Sequence, residues 1–244
     1  MHLASDNMGG VQEAPLLFLG KRVLIATPAL TGQVDMRYAY ALAETIRMGE
    51  RLGVRVNVMF RGLDAMLQRV RNDLVKDALD HEYTDLVFID ADQDWKPEDF
   101  FRLLSYQVDC VGAPVQKKTD DHERYNVHAS GPNLPRDLAT GLLMVDAVGT
   151  GFLRLSRYAL KALWDRSEPY VDDAGNHNRW MFDLGPMAGR LVGEDTTVCN
   201  KLRDAGIKVY IDPNVTVGHT GTKRWAGDFR GWLTRLQSEA RGEA

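Results

Sequence analysis

Residues 84–97 read TDLVFIDADQDWKP, and this stretch decides the fold. A short apolar run from Leu86 to Ile89 stops at Asp90, and Asp92 follows two residues later. An apolar run of this length between polar residues is typical of a buried strand. Open α/β sheets bind ligands beyond the carboxyl ends of their strands, so both carboxylates are predicted to lie in a ligand site.

The spacing of the two aspartates indicates a metal. Side chains two residues apart in an extended segment point to the same side, so Asp90 and Asp92 can face one cation together. Mg²⁺ and Mn²⁺ prefer oxygen ligands and often share their coordination shell with substrate phosphates. The motif therefore indicates a divalent metal that holds a diphosphate. The alternative is an acidic turn that caps a helix beginning near Pro97.

Composition favours one globular domain. The chain has 244 residues, of which 44% are apolar, and its net charge of −4 argues against electrostatic capture of nucleic acid as the main activity. Cys110 and Cys199 lack disulfide or ligand spacing, which is typical of buried thiols in a reducing compartment. The amino terminus lacks the pattern of a signal peptide. A membrane-spanning helix needs about 20 consecutive apolar residues, and no stretch of the sequence comes close to that length. We therefore expect a soluble, cytoplasmic protein.

Hydrophobic periodicity predicts alternating strands and helices before the aspartates. The predicted elements are a strand at 22–27, a helix at 34–52, a strand at 54–60 and a helix at 63–79. This alternation is typical of a doubly wound, mostly parallel sheet. Neither G-x-G-x-x-G nor G-x-x-x-x-G-K-[ST] follows the first strand, which argues against the usual dinucleotide and P-loop folds.

The second half alternates less regularly. It is predicted to contain helices at 97–104 and 158–164 and from 194, strands at 108–112, 208–211 and 215–217, and two strands within 141–155. Residues 114–139 lack apolar periodicity and are predicted to form a mobile loop over the site. Residues 165–190 are also irregular, and Trp180, Met181 and Phe182 within them form either an acceptor platform or packing beneath the loop. We predict an arm at 1–20, one domain at 21–223 and a helical tail at 224–244.

Four segments occur in a fixed order along the chain. They are the strand ending in Asp90-Ala-Asp92, the stretch Gly149-Thr150-Gly151-Phe152, the pair Glu194-Asp195 opening a helix, and the run from Asp212-Pro213 to Gly218-His219. This ordered set resembles nucleotide-sugar-dependent glycosyltransferases of the GT-A fold, and it is most similar to the small Anp1-type and bacteriophage-type transferases. The resemblance covers roughly residues 21–223. It implies a single α/β domain with a GT-A-like (Rossmann-like), mixed but mostly parallel sheet flanked by helices, and a Mn²⁺ or Mg²⁺ cofactor.

The resemblance also implies residue roles. The metal ligands would be Asp90, Asp92 and His219, although Asp94 departs from the family pattern and competes for this role. The nucleotide-sugar contacts would be Thr27, Pro28, Arg71, Asn72 and Asp90, to which we add Lys117 and Lys118 as diphosphate contacts. The acceptor side would comprise Gly149, Thr150, Gly151 and Phe152, together with Trp180. Asp195 is the first candidate for the catalytic base and Glu194 the second, because an attacking hydroxyl must pass its proton to a carboxylate.

The predicted activity is metal-dependent transfer of a sugar from a nucleotide-sugar donor to a hydroxyl of a glycan, protein, lipid or modified phage DNA base. A DNA acceptor would need a basic track, for which the candidates are Lys117, Lys118, Arg124, Arg136, Lys223, Arg224 and Arg230. One alternative is a sugar nucleotidyltransferase, which normally needs a basic, glycine-rich loop where this chain has Pro28 to Gly32. The other is a nucleotide-binding module of the same fold without catalysis.

Overall fold

The computed structural model describes residues 14–120, 122–172, 174–187 and 189–242. In chain order its elements are α1 (Ala14–Leu17), β1 (Arg22–Ala29), α2 (Met36–Leu52), β2 (Arg55–Gly62), α3 (Leu67–Asp80), β3 (Asp85–Ile89), β4 (Gln93–Asp94), α4 (Pro97–Ser105), β5 (Cys110–Gly112), β6 (Val127–His128), β7 (Leu143–Val145), β8 (Ala147–Val148), β9 (Phe152–Ser156), α5 (Arg157–Arg166), β10 (Pro169–Val171), β11 (His177–Arg179), β12 (Gly185–Met187), β13 (Arg190–Val192), α6 (Glu194–Asp204), β14 (Val209–Ile211), β15 (Gly218–Thr220), β16 (Arg224–Trp225) and α7 (Phe229–Arg241). No helix among these is long and apolar enough to cross a membrane.

A central sheet of seven strands runs in the order β2-β1-β3-β9-β5-β14-β7. Strands β2, β1, β3, β5 and β14 point one way, whereas β9 and β7 run antiparallel to their neighbours. Helices cover the sheet on both faces. The predicted mixed, mostly parallel α/β sheet flanked by helices is therefore confirmed.

Successive side chains of the central strands point to opposite faces of the sheet, so the core has two layers. Leu86 and Phe88 of β3 pack with apolar residues of α3, α5, α6 and α7, whereas Val87 and Ile89 pack with those of α2 and α4. Every residue of β3 is buried, as expected for a strand with helices on both faces. The burial of both faces explains why this strand is a continuous apolar run in the sequence.

The first two long helices begin and end for local reasons. Asp35 caps α2 by accepting a hydrogen bond from the Arg37 backbone N–H at 2.8 Å, and Gly53 ends the helix in the left-handed conformation. The predicted start of α3 at residue 63 is wrong, since the helix begins at Leu67. Leu63 has a positive φ of 60°, and Asp64 accepts from the Met66 N–H at 2.8 Å, so a turn occupies these positions.

The predicted strand at 215–217 is also wrong. Val217 makes only an isolated bridge to Val115, and the strand β15 begins one residue later. The Val215 N–H donates to the Asp212 carbonyl at 3.3 Å, which holds this segment in a turn. Val215 and Val217 are nevertheless buried, so their apolar character reflects the core and not a strand.

The predicted mobile loop at 114–139 is tied down at several points. Gln116 bridges to Tyr125, and β6 pairs with β8. The Tyr125 ring packs edge-on against Phe229 of α7 with the ring centroids 4.9 Å apart, and Trp232 contacts the same ring at 5.2 Å. Helix α7, which begins in the predicted tail, therefore supports this segment from outside.

The predicted arm at 1–20 lies mostly outside the described residues. Its last part is packed, because Phe18 is buried and meets Phe101 of α4 edge-on with the centroids 5.8 Å apart.

A buried charge cluster lies at the amino end of β3. Asp85 is fully buried and accepts hydrogen bonds from Arg154 Nε at 2.7 Å and from Lys21 Nζ at 2.9 Å. Burial opposes ionisation of this carboxyl, but Arg154 and Lys21 outweigh it and lower the pKa of Asp85. The cluster joins β1, β3 and β9, the strands that carry the site at their other ends.

Arg154→Met should lower the free energy of unfolding at neutral pH by about 3 kcal/mol, since it leaves a buried carboxylate with only Lys21 as its cation. Because the pKa of Asp85 is lowered in the folded protein, its stabilising effect is present at neutral pH and is lost as the pH falls through that pKa. The deficit should therefore shrink in acid. Urea denaturation measures it, with Arg166→Met on the exposed end of α5 as the matched control. Equal stabilities of the two variants at neutral pH would contradict this account.

Candidate functional site

A cavity of about 580 Å³ opens at the carboxyl ends of β1 and β3. The loop after β1, the loop after β2, the turn after β3 and the strand β15 enclose it. Four of the predicted site residues line it, namely Pro28, Asp90, Asp92 and His219. Its volume lies within the range of small-molecule sites in proteins.

Backbone pairing shapes the turn that carries the aspartates. The Asp90 N–H donates to the Gly151 carbonyl at 2.9 Å, and the Asp92 carbonyl accepts from the Thr220 N–H at 2.8 Å. The short strand β4 follows and pairs antiparallel with β15, with His219 opposite Gln93. This pairing brings His219, far away in the sequence, beside Asp92.

Asp92 and His219 face each other across the mouth of the cavity. The distance from Asp92 Oδ1 to His219 Nε2 is 3.6 Å, and the other carboxylate oxygen accepts a hydrogen bond from Lys118. His219 Nδ1 lies 2.9 Å from the Gln116 carbonyl, which can only accept, so we assign the proton to Nδ1. The other ring nitrogen, Nε2, faces the carboxylate, and in its deprotonated form it can bind a metal, as does a histidine held by its second nitrogen.

The charge of Asp92 suits a cation. Burial opposes its ionisation, but His219 and Lys118 outweigh that effect and lower the pKa of Asp92 to about 2. The carboxylate is therefore charged at neutral pH. A cation that took the place of a proton on Nε2 would bind the ring nitrogen and the carboxylate oxygen together.

The donor set fits a divalent ion whose shell is shared with a ligand. No group of three or more His, Cys, Asp or Glu side chains in the described part of the chain is arranged to bind a metal. Asp92 and His219 could supply two ligands, and the third predicted ligand, Asp90, is hydrogen-bonded to Arg71. Mg²⁺ is commonly bound by one or two protein ligands, with phosphate and water completing the shell.

Asp94, the competing carboxylate, is bound elsewhere. Its two oxygens accept from Arg224 Nε at 2.8 Å and Nη2 at 2.7 Å, a bidentate pair between β4 and β16. Asp94 does not line the cavity. The structure therefore favours Asp90 and Asp92 over Asp94 as the carboxylates of the site.

A buried arginine links the aspartate turn to helix α6. Arg71 is only 2% exposed; its Nη2 lies 3.1 Å from Asp90 Oδ1, and its Nη1 donates to Glu194. Its Nε has no hydrogen-bond partner within the described residues. The guanidinium therefore pairs with two carboxylates, those of Asp90 and Glu194.

Of the two candidate bases, only Glu194 joins this network. Asp195 Oδ1 instead accepts from the Thr196 N–H of its own helix at 2.7 Å. The geometry therefore favours Glu194, the second of the two predicted bases.

Two of the predicted contacts lie beneath the cavity. Thr27 is fully buried and shares a hydrogen bond with the Tyr38 hydroxyl. Phe152 is also fully buried and packs on Trp95 with the centroids 5.7 Å apart. Both side chains support the floor of the site in this conformation and expose no surface to it.

Asn72 has a similar supporting position. Its Oδ1 accepts from the backbone N–H groups of Met181 at 3.1 Å and Phe182 at 2.8 Å, and all three residues are buried. Met181 and Phe182 are therefore packed in the interior and do not form an acceptor platform. Trp180 is half-buried against Tyr170, with the ring centroids 5.6 Å apart, and does not line the cavity.

The predicted glycines are required by close approach. A Cβ on Gly151 would lie 2.1 Å from Gln93 Nε2 and 3.0 Å from Asp90 Oδ2, and one on Gly149 would lie 2.0 Å from Asn126 Nδ2. Thr150 between them is 3% exposed. This stretch therefore forms a close-fitting wall behind the aspartate turn.

Three of the seven residues of the predicted basic track are paired with acids. Lys118, Lys223 and Arg224 bind Asp92, Asp120 and Asp94 respectively. Lys117 is exposed beside them. The pairing lowers the positive potential that a DNA backbone would meet here.

Sequence reasoning missed the side of the cavity formed by the loop after β2. Arg61 and Asp64 line it, and Arg61 is held by Asp73 at 3.2 Å and Asp77 at 2.7 Å. The signal was present, because this loop also leaves the sheet at the carboxyl end of a strand.

A second cavity, of about 590 Å³, lies between the segment 129–135 and residues of α6, β7 and β14. It contains none of the predicted site residues.

No protein-family model matches the sequence, and no curated protein sequence matches it. In structure the chain is similar to A197 from STIV, with 16% identity over 82% of this chain and 86% of that chain and a TM-score of 0.51. A weaker similarity is to a Drosophila β-1,4-galactosyltransferase 7 mutant in complex with manganese, UDP-Gal and xylobiose, with 14% identity over 80% of this chain and 66% of that chain and a TM-score of 0.45. At these identities the likeness to A197 shows a shared fold alone.

Gly151→Ala should lower the free energy of unfolding by about 2 kcal/mol, because the added methyl group would overlap the amide end of the buried Gln93 side chain and force that side chain to shift. Gly131→Ala is the matched control, since a Cβ there meets nothing within 4 Å. Chemical denaturation in the presence of EDTA separates this packing effect from metal binding. A Gly151→Ala protein as stable as the control would show that the turn has more room than the structure gives it.

Proposed function

We propose that the chain is a glycosyltransferase that moves a sugar from a nucleoside-diphosphate donor to a hydroxyl acceptor with the help of a divalent metal. The observation that carries the proposal is the Asp92–His219 pair at the mouth of a nucleotide-sized cavity, 3.6 Å apart. The Asp90–Arg71–Glu194 network connects a further carboxylate to the aspartate turn. One edge of the sheet thus offers a metal-binding pair and a candidate base.

The nucleoside would occupy the space between the loops after β1 and β2, where Pro28 and Leu30 offer apolar contacts. The diphosphate would lie towards Asp92, His219 and Lys118. A divalent metal held by Asp92 and His219 would neutralise the negative charge that develops on the departing nucleoside diphosphate.

Glu194 would act as the base. Its side chain is 18% exposed at the first position of α6, and the ion pair with Arg71 fixes its direction. In the proposed step the acceptor oxygen bonds to the anomeric carbon, the bond to the diphosphate oxygen breaks, and the hydroxyl proton passes to Glu194. A carboxylate that takes this proton favours a single displacement with inversion.

The alternatives differ in what they require. The end of β1 and the loop after it read PALTG at residues 28–32 and carry no basic side chain, so this segment does not favour a nucleotidyltransferase. A non-catalytic nucleotide-binding module would use the same cavity and is distinguished only by the absence of turnover.

Asp92→Asn should abolish metal-dependent nucleotide binding, because it removes the only charged ligand of the pair. Asp94→Asn is the matched control two residues away, and it should bind as the wild type does. Isothermal titration of each protein with a nucleoside diphosphate, with Mn²⁺ and then with EDTA, measures the difference. If Asp94→Asn lost metal-dependent nucleotide binding and Asp92→Asn kept it, Asp94 and not Asp92 would be the metal ligand.

Glu194→Gln should retain nucleotide binding but slow the release of nucleoside diphosphate from a nucleotide sugar by about 100-fold or more, because the amide cannot accept the proton. Transfer to water makes this assay possible before the acceptor is known. Asp195→Asn is the control and should remain within a few-fold of the wild type. If Asp195→Asn is the inactive variant instead, the base is Asp195.

A further inference from the structure

The carboxylate best placed to bind a metal already has a cation. One oxygen of Asp92 accepts a hydrogen bond from the Lys118 ammonium, and the other faces His219 Nε2 at 3.6 Å. A divalent ion that bridges Asp92 and His219 would meet this ammonium at close range. Two cations so placed repel each other, so the metal and Lys118 compete for one carboxylate.

The backbone on either side of Lys118 is fixed. The Lys117 N–H donates to the Arg124 carbonyl at 2.8 Å, and the Gln116 carbonyl stays on His219 Nδ1 at 2.9 Å. Tyr125, the bridge partner of Gln116, is itself packed against α7. The loop can therefore keep His219 in place while the Lys118 side chain alone moves.

The Lys118 side chain has room to move. It is 32% exposed, and its stem passes over Gly221, where a Cβ would lie only 3.2 Å from Lys118 Cδ. Gly221 also lines the cavity, so the stem runs along the rim of the space assigned to the donor. Rotation about its four-carbon stem can carry the ammonium from Asp92 to a neighbouring anion, since lysine is a flexible point charge with three donors.

We propose that Lys118 occupies the place of the metal in the ligand-free protein, where its ammonium pairs with Asp92. The divalent metal displaces the ammonium from that carboxylate when it binds. The displaced ammonium then binds the diphosphate. The binding of the diphosphate rests on the proposed function. The replacement of Lys118 by the metal at Asp92, called the exchange below, does not. The proposal gives Lys118 two effects of opposite sign. It weakens binding of the metal alone, and it strengthens binding of a diphosphate once the metal is present.

The first test measures Mn²⁺ binding to the full chain without nucleotide, using the electron paramagnetic resonance signal of free Mn²⁺. Lys118→Met should bind Mn²⁺ about tenfold more tightly than the wild type, the size of a typical coupling between two ligands of one site. Lys117→Met removes the same charge one residue away, from a side chain that does not pair with Asp92, and should match the wild type. Lys118→Arg keeps the charge and should remain weak. Thermal unfolding in EDTA checks that all four proteins are folded.

The second test titrates inorganic pyrophosphate into the same proteins at saturating Mn²⁺. Lys118→Met should bind pyrophosphate about tenfold more weakly than the wild type, the reverse of its effect on the metal. Unchanged or weaker Mn²⁺ binding by Lys118→Met would overturn the exchange. Tighter Mn²⁺ binding with unchanged pyrophosphate binding would overturn the transfer of Lys118 to the diphosphate.

The two tests also separate this inference from the proposed function. If no form of the protein binds pyrophosphate, while Lys118→Met still binds Mn²⁺ more tightly than the wild type, the exchange stands and the donor site fails. If the wild type binds a nucleoside diphosphate only with Mn²⁺ and all variants bind Mn²⁺ equally, the donor site stands and the exchange fails.

Discussion

The site depends on a short backbone pairing between β4 and β15. Directly after Asp92, Gln93 and Asp94 pair antiparallel with the strand that carries His219, and the Asp92 carbonyl accepts from the Thr220 N–H at 2.8 Å. Buried backbone groups must find partners, so this pairing fixes the direction of both side chains. The Gln116 carbonyl then orients the imidazole ring. Without that pairing, Asp92 and His219 would lie on unrelated loops.

Buried charges couple this pairing to the rest of the sheet. Arg71 lies in α3 and reaches Asp90 on the aspartate turn and Glu194 at the start of α6, so three elements meet at one guanidinium. A buried ion pair of this kind adds little net stability, but losing one partner is costly because a charge is left buried. The network therefore fixes the relative positions of Asp90 and Glu194 more than it stabilises the fold. Burying these charges costs free energy, and a cost of this kind is typical of functional sites.

The sequence predicts the parts of this architecture that depend on local patterns. The apolar run before Asp90 is buried on both faces, and such a strand can be recognised without any knowledge of its neighbours. The order of strands and helices before it was predicted for the same reason. The start of α3 was not, because a left-handed Leu63 and the side-chain hydrogen bond of Asp64 replace the first helical turn. The segment 215–217 shows that apolar residues in a turn can resemble a strand.

Site residues were harder to predict where burial decides their role. Asn72 has a side chain suited to binding a ligand, but the backbone of Met181 and Phe182 occupies it. The choice between Glu194 and Asp195 depends on which side of α6 faces Arg71, and adjacent letters in a sequence do not show that. Lys118 was expected near a diphosphate, whereas the structure places it on Asp92. Each case turns on a contact between residues far apart in the chain.

The central claim is that Asp92 and His219 hold a divalent metal beside a nucleoside diphosphate in the cavity. The most direct measurement is the unfolding temperature of the wild-type protein with UDP, GDP, ADP, CDP and TDP, each with Mn²⁺ and with EDTA. A ligand that binds only the folded state raises stability by about 2.7 kcal/mol at 100 times its dissociation constant. The account predicts a rise of several degrees for one nucleotide, seen only with Mn²⁺. The same unfolding temperature in all ten conditions would contradict it.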